Sequence, residues 1–185
     1  ELEVERGMEP GHTRLIAMIE TADAYFQVRD IAAANSRVVA MTLGQEDFAL
    51  STGMEPEPEA LFQPCLQIVF AARAAGILPL GFVGSIAEYQ DKGKFQKIAR
   101  QARRIGFTGA FCIHPLQAQV LNEEFSPTAD EVATAKSMIS AYEDALAQGR
   151  GSIEYQGKML DEPIVERARQ ILLHYQRIKN HSSRG

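Results

Sequence analysis

Two acids stand where a chain can do metal chemistry. Glu20 directly follows the apolar run Leu15-Ile16-Ala17-Met18-Ile19, and Asp47 closes the stretch Gly44-Gln45-Glu46-Asp47 after a second run, Val38 to Leu43. A short apolar run closed by a polar residue fits a buried parallel strand. Neighbouring parallel strands lie about 4.8 Å apart, so carboxylates at their ends can share one hard cation. Mg²⁺ suits such a pair, because it takes few carboxylates and fills its other positions with water and substrate oxygens. A plainer alternative stays open on spacing alone: each acid merely ends a strand and caps a helix, as Glu20-Thr21 would do well.

These acids need a frame. Residues 23–35 carry apolar side chains at helical spacing, with Asn35 and Ser36 at the end. A Glu- and Pro-rich loop spans Gly53 to Pro58, residues 59–75 read as a helix, and Gly76 is a C-cap. Ile77 to Val83 is a third strand, and 93–105 a helix closed by Gly106. Ala110 to Ile113 is a fourth strand, ended by His114-Pro115, while residues 1–13 read as a loop. The βαβαβαβ order predicts a parallel sheet covered by helices. Glu20, Asp47 and His114 then collect at the C-terminal ends of its strands, where parallel α/β folds place their ligands.

The tail differs in style. Thr128-Ala129-Asp130-Glu131 matches a capping box and opens a long amphipathic helix to Leu146. Glycines 149, 151 and 157 flank a β-like segment, 152–156, and a last helix starts near Pro163, with residues 179–185 frayed. Composition narrows the partners. The 185 residues are 45% hydrophobic with mean hydropathy -0.17, enough for one globular domain or a large piece of one. Net charge is -5 and the pI about 5.4, so no basic face invites nucleic acid or an anionic membrane. No apolar run approaches the roughly 18 residues of a membrane span, and no secretory signal is visible. The chain opens on Glu1-Leu2-Glu3 rather than Met. A cytoplasmic setting is expected, or a mitochondrial one in a eukaryote. Cys65 and Cys112 sit in apolar runs and read as buried, reduced thiols.

Taken in order, Ile19-Glu20-Thr21-Ala22, Gly44 to Asp47, Gly106-Phe107-Thr108-Gly109 leading to Ile113-His114-Pro115, Phe125-Ser126-Pro127, and Gly157-Lys158-Met159-Leu160-Asp161-Glu162-Pro163 resemble the citrate lyase β-subunit-like family of the HpcH/HpaI aldolase/citrate lyase superfamily. The resemblance runs over about residues 14–178. It implies a TIM (β/α)₈ barrel, here only strands five to eight in residues 1–125, followed by a helical extension with a flap in 126–185. It implies a lyase or synthase that breaks or makes the carbon–carbon bond of a 3-hydroxyacyl-CoA such as citryl-, malyl- or citramalyl-CoA. The products are an acyl-CoA and a 2-oxo acid.

The same resemblance makes Glu20 and Asp47 the Mg²⁺ ligands. It places Glu20, Gly44, Asp47 and His114 at the substrate, His114 against the CoA pocket or simply in a turn. It makes Asp161 the proton-transfer residue, acting in a neighbouring subunit of a homotrimer or hexamer, although an N-cap for the helix at Pro163 would also explain an Asp there. The family's first four strands, with an Asp-bearing strand and an Arg that clamps the substrate carboxylate, have no counterpart in these residues, so the 185 residues alone are not expected to form an active, stable monomer. Gly109-Ala110 replaces the family's usual Gly-Lys, and Asp91, after Glu88-Tyr89-Gln90, reads as a helix cap. Two other functions fit less of the sequence. A CoA-independent aldolase of hydroxy-oxo acids shares the metal pair but has no evident use for the tail. A catalytically silent assembly subunit would account for the missing Arg-bearing strand.

Overall fold

The computed structural model describes residues 1–84 and 91–182. The chain divides into two compact units, Glu1–Phe125 and Ser126–Gly185. The Glu88-Tyr89-Gln90 stretch lies outside the described residues.

The first unit is a mixed α/β layer. Its order is α1 (Leu2–Glu5), β1 (Leu15–Ile19), α2 (Ala22–Phe26), α3 (Val28–Ala33), β2 (Val38–Leu43), α4 (Gln45–Thr52), α5 (Pro58–Ala74), β3 (Leu78–Pro79), α6 (Lys92–Ile105) and α7 (Pro115–Phe125). The strands form a parallel sheet in the order β1-β2-β3, with Ile19 beside Leu43 and Met41 beside Pro79. Helix α5 covers this sheet. Leu61, Cys65, Ile68, Val69 and Ala72 recur at helical spacing and are all buried. They join Ile19, Met41, Leu43, Phe82, Phe95 and Phe107 in one core.

Several elements differ from the sequence-based expectation. The third strand keeps two residues instead of seven, because Pro79 has no N–H to continue the ladder; Leu80 donates one more bond to Met41 O, at 2.9 Å. The fourth strand, Ala110–Ile113, does not form. Thr108 N and Gly109 O bond to Pro79 O and Gly81 N, at 3.0 and 2.8 Å, and the ladder stops there. With so short a β3 there is no strand for residues 110–113 to lie along, and Phe111, Cys112 and Ile113 are exposed. Cys112 is therefore not a buried thiol, whereas Cys65 is. The stretch after β2, to which the sequence pattern assigns no element, is a helix: Glu46 and Asp47 favour its N-terminus and Gly53, at φ 71°, ends it. Residues 23–35 split into α2 and α3 at Gln27, whose N–H bonds to Ala24 O. The opening segment holds the short helix α1, pinned by Glu3, which accepts from Gly11 N and Thr13 N at 2.8 and 2.7 Å and pairs with Arg37.

The second unit is built from local contacts. Helix α8 (Ala129–Ala147) starts with a complete capping box: Thr128 Oγ1 accepts from Glu131 N at 3.1 Å, and Glu131 accepts from Thr128 N at 2.8 Å. A hairpin of β4 (Ile153–Tyr155) and β5 (Lys158–Leu160) turns at Gln156-Gly157, both at positive φ. Helix α9 runs Glu162–Ser182, so 179–182 are helical rather than frayed. Tyr142, Leu160 and Val165 centre its core, with Met138, Ile139 and Ile153 packed around them. Among the described residues no helix is long and apolar enough to cross a membrane.

Candidate functional site

The ends of β1 and β2 are tied together at the sheet's C-terminal edge. Gly44 N donates to Ile19 O at 2.8 Å, so the residue after each strand is held beside the other. Glu20 follows β1, is half-buried, and leaves capping to its neighbour: Thr21 Oγ1 accepts from Ala24 N at 3.1 Å. Asp47 sits in the first turn of α4, whose N-cap is Gly44, without a side-chain cap. Both acids line one cavity of about 170 Å³. Thr42, Gly44, Gln45, Glu46 and Gly81 complete its polar wall, and Met18, Leu43, Phe82 and Phe111 its apolar one.

The electrostatic situation of the pair is unusual. Among the described residues, neither the Glu20 nor the Asp47 carboxylate takes a hydrogen bond or an ion pair. Both carboxylates border one cavity without a protein partner, which leaves their oxygens available to a cation or a donor. No group of three or more His, Cys, Asp and Glu gathers among the described residues. The donor set is thus two hard oxygen ligands with room beside them, which fits Mg²⁺ and leaves coordination positions for water or a substrate.

Around the pair the wall is firmly built. Gln45 Nε2 donates to the carbonyl of Phe82, and the Cys65 thiol points to the same carbonyl at 3.6 Å. Burial pushes the Cys65 thiol up to about 12, so it is a neutral packing group at physiological pH rather than a nucleophile. Sequence reasoning missed Gln45, Met18, Phe82 and Phe111 as cavity residues. Met18 had a usable signal, since in a strand residues i and i+2 share a face and Met18 therefore accompanies Glu20. Phe111 had none, because its place depends on a ladder that stops at Gly109.

The remaining expected residues lie elsewhere. His114 is exposed and starts α7: its Nδ1 accepts from Leu116 N at 3.2 Å, and its carbonyl accepts from Gln117 N at 3.0 Å. Among the described residues lining the cavity, His114 is not found. Asp161 belongs to the second unit. It is half-buried at the N-cap of α9, where its carbonyl accepts from Ile164 N at 3.1 Å and its Oδ1 lies at 3.4 Å from the same N–H. Asp91 caps α6, accepting from Lys94 N at 2.9 Å.

Residues 1–115, which hold the strands, both acids and the cavity, match the HpcH/HpaI aldolase/citrate lyase family. The chain belongs to that family. It is 38% identical to the citrate lyase subunit beta of Haemophilus influenzae, over 93% of this chain and 59% of that protein. It is 33% identical to the L-malyl-CoA/beta-methylmalyl-CoA lyase of Cereibacter sphaeroides, over 84% of this chain and 54% of that protein. A crystal structure of the protein CitE from Mycobacterium tuberculosis, in complex with magnesium, acetoacetate and coenzyme A, superposes with a TM-score of 0.76 at 27% identity, covering 88% of this chain and 61% of that one. The chain thus spans a little over half the length of the curated relatives it matches.

Proposed function

We propose that this chain is the metal-bearing part of a Mg²⁺-dependent carbon–carbon lyase that cleaves a 3-hydroxyacyl-CoA to an acyl-CoA and a 2-oxo acid. The observation that carries this reading is the unpartnered carboxylate pair, Glu20 and Asp47, facing one cavity at the ends of adjacent parallel strands. The malyl-CoA lyase relative and the CitE complex with magnesium, acetoacetate and coenzyme A support the substrate class.

The chemistry follows from what such a cleavage needs. The substrate hydroxyl loses its proton and becomes the carbonyl of the 2-oxo acid. The carbon–carbon bond breaks, its electron pair stays on the thioester's α-carbon as an enolate, and a proton then quenches that carbon. Glu20 and Asp47 would hold a Mg²⁺ ion, which would supply positive charge for the developing oxyanion. Gly44 lines the same cavity and borders the substrate. Met18, Phe82 and Phe111 keep water from the enolate side. Asp161 delivers the proton from the second unit, at the end of a flap running from Gly149 to Asp161, in a neighbouring subunit of a trimer or hexamer. Phe111 lines the cavity and His114 follows it closely, which favours His114 at the edge where the CoA chain enters. Residues 1–125 serve as the C-terminal part of a barrel, with three of its strands formed, and 126–185 as its extension. A cytoplasmic setting suits CoA thioester substrates.

The test is a turnover panel with the full-length protein: citryl-, malyl- and citramalyl-CoA, beside CoA-free hydroxy-oxo acids, each with Mg²⁺ and with EDTA. Thioester cleavage that EDTA stops and Mg²⁺ restores is expected. Cleavage of the CoA-free acids alone would make the protein an aldolase, and silence on both sets would make it an assembly subunit.

A further inference from the structure

Gly44 occupies its position for a reason that neither its backbone nor its helix explains. Its φ and ψ are -84° and 90°, an extended conformation open to any L-residue. It is the N-cap of α4, a position where Ser, Asp or Asn would bond a free N–H and stabilise the helix further, and it makes no such bond. What glycine supplies is space. A Cβ built on Gly44 would stand 2.6 Å from Glu20 Cγ, 3.0 Å from its Oε1 and 3.3 Å from its Cδ. The Glu20 side chain thus lies directly over the face of Gly44 that any other residue would fill.

We propose that Gly44 is a positioning residue: its bare Cα is the seat that holds the Glu20 carboxylate turned toward Asp47. The reading deepens the metal assignment and rests on Glu20 being a ligand. Glu20 is half-buried and its side chain can rotate, so a methyl group at this position moves the carboxylate rather than breaking the fold. The helix forgoes a side-chain cap so that a ligand can sit correctly, a local rule broken at a site where function needs it. The seat also accounts for the Gly-x-x-Asp spacing. Gly44 admits the first carboxylate, and the turn of helix that starts there carries the second.

The experiment uses the full-length protein, with Mn²⁺ as a spectroscopic substitute for Mg²⁺. A crystal structure of Gly44→Ala should show Glu20 in another rotamer; a Glu20 side chain unmoved in that variant would overturn the proposal. By electron paramagnetic resonance, Gly44→Ala should weaken Mn²⁺ binding by about 10–100-fold, the range seen when a ligand-orienting partner is lost. The decisive comparison is Gly44→Ala in a Glu20→Ala background, where the seat has nothing to hold. There it should add no further loss, and a further loss of the same size would show that Gly44 acts through α4 and Asp47, which overturns the proposal. If the rotamer changes but the unmutated protein binds Mn²⁺ no better than Glu20→Ala does, the metal assignment falls and the steric seat stands. Gly44→Ser sharpens the result, since a stabilised α4 with weakened Mn²⁺ binding separates the seat from any loss of fold.

Discussion

Glu20 and Asp47 of the first unit stand at the starts of helices in a different way from the acids of the second, although Asp91 of the first unit is an ordinary cap. In Glu1–Phe125, Glu20 and Asp47 stand beside α2 and α4, yet Thr21 caps α2 and α4 has no side-chain cap. Both carboxylates are left without a partner and turned to a cavity. In Ser126–Gly185, Asp161 sits at the N-cap of α9 and Glu131 closes the capping box of α8. An acid that satisfies backbone N–H groups explains itself structurally, whereas an acid withheld from that work must be explained by what it meets. The comparison therefore ranks the two proposed roles. The Glu20–Asp47 pair is hard to account for structurally, and Asp161 has to be shown to do more than cap.

The largest effect should come from the pair. Glu20→Gln and Asp47→Asn are each expected to abolish Mg²⁺-restorable cleavage while leaving stability within about 0.5 kcal/mol of the unmutated protein, since neither carboxylate holds anything in place. Activity on titration with Mg²⁺, beside thermal unfolding, checks both halves of that statement. Near-normal activity in both variants would move the metal site elsewhere.

Asp161 comes next. If it transfers the proton, Asp161→Asn should lower kcat by about 10²–10⁴-fold with Mg²⁺ affinity unchanged. If it only caps α9, the variant should lose about 1 kcal/mol of stability and keep its turnover at low temperature. Mixing inactive Glu20→Gln and Asp161→Asn subunits tests action across an interface: some mixed oligomers then contain a complete site and recover activity. No recovery after verified subunit exchange would confine Asp161 to its own subunit.

The contrast between the units also governs what could be read from sequence. Elements specified by local chemistry were legible: the Thr128–Glu131 capping box, the Asp91 cap, the helix start near Pro163, and the two long apolar strands. The placement of Glu20 and Asp47 at one edge of the sheet was legible because each follows a strand, and the strands proved to be neighbours. Elements that depend on a distant partner were not. Ala110–Ile113 has the composition of a strand, yet Pro79 cuts short the ladder it needed. Helix α4 was hidden because its first turn is polar and its apolar content is only Phe48, Ala49 and Leu50. The seat at Gly44 left no mark, since a glycine chosen for space looks in sequence like a glycine chosen for a turn.

A smaller effect separates the units by stability. Thr128→Ala removes one bond of the capping box and should cost about 1 kcal/mol. Faster amide exchange should be confined to α8 and its surroundings in the second unit, with Mn²⁺ binding at the Glu20–Asp47 pair unchanged. Weakened Mn²⁺ binding would show that the second unit supports the pair.

The smallest effect concerns an acid of the first unit that behaves as those of the second do. Glu3 accepts from the backbone of Gly11 and of Thr13 and pairs with Arg37, and these bonds, Gly11's foremost, hold its carboxyl at about 2 rather than the ordinary 4.5. A carboxylate with a depressed folded value favours the folded state above its unfolded value and loses that contribution as pH falls through its folded one. The clasp over residues 1–13 should therefore stay intact at neutral pH and weaken only between about 4.5 and 2. An NMR titration reads this directly. The Gly11 and Thr13 amide shifts should move with a midpoint near 2, and in Glu3→Gln they should show no such step. A midpoint near 4.5 would mean that Glu3 is solvated and that the opening segment is held by something else.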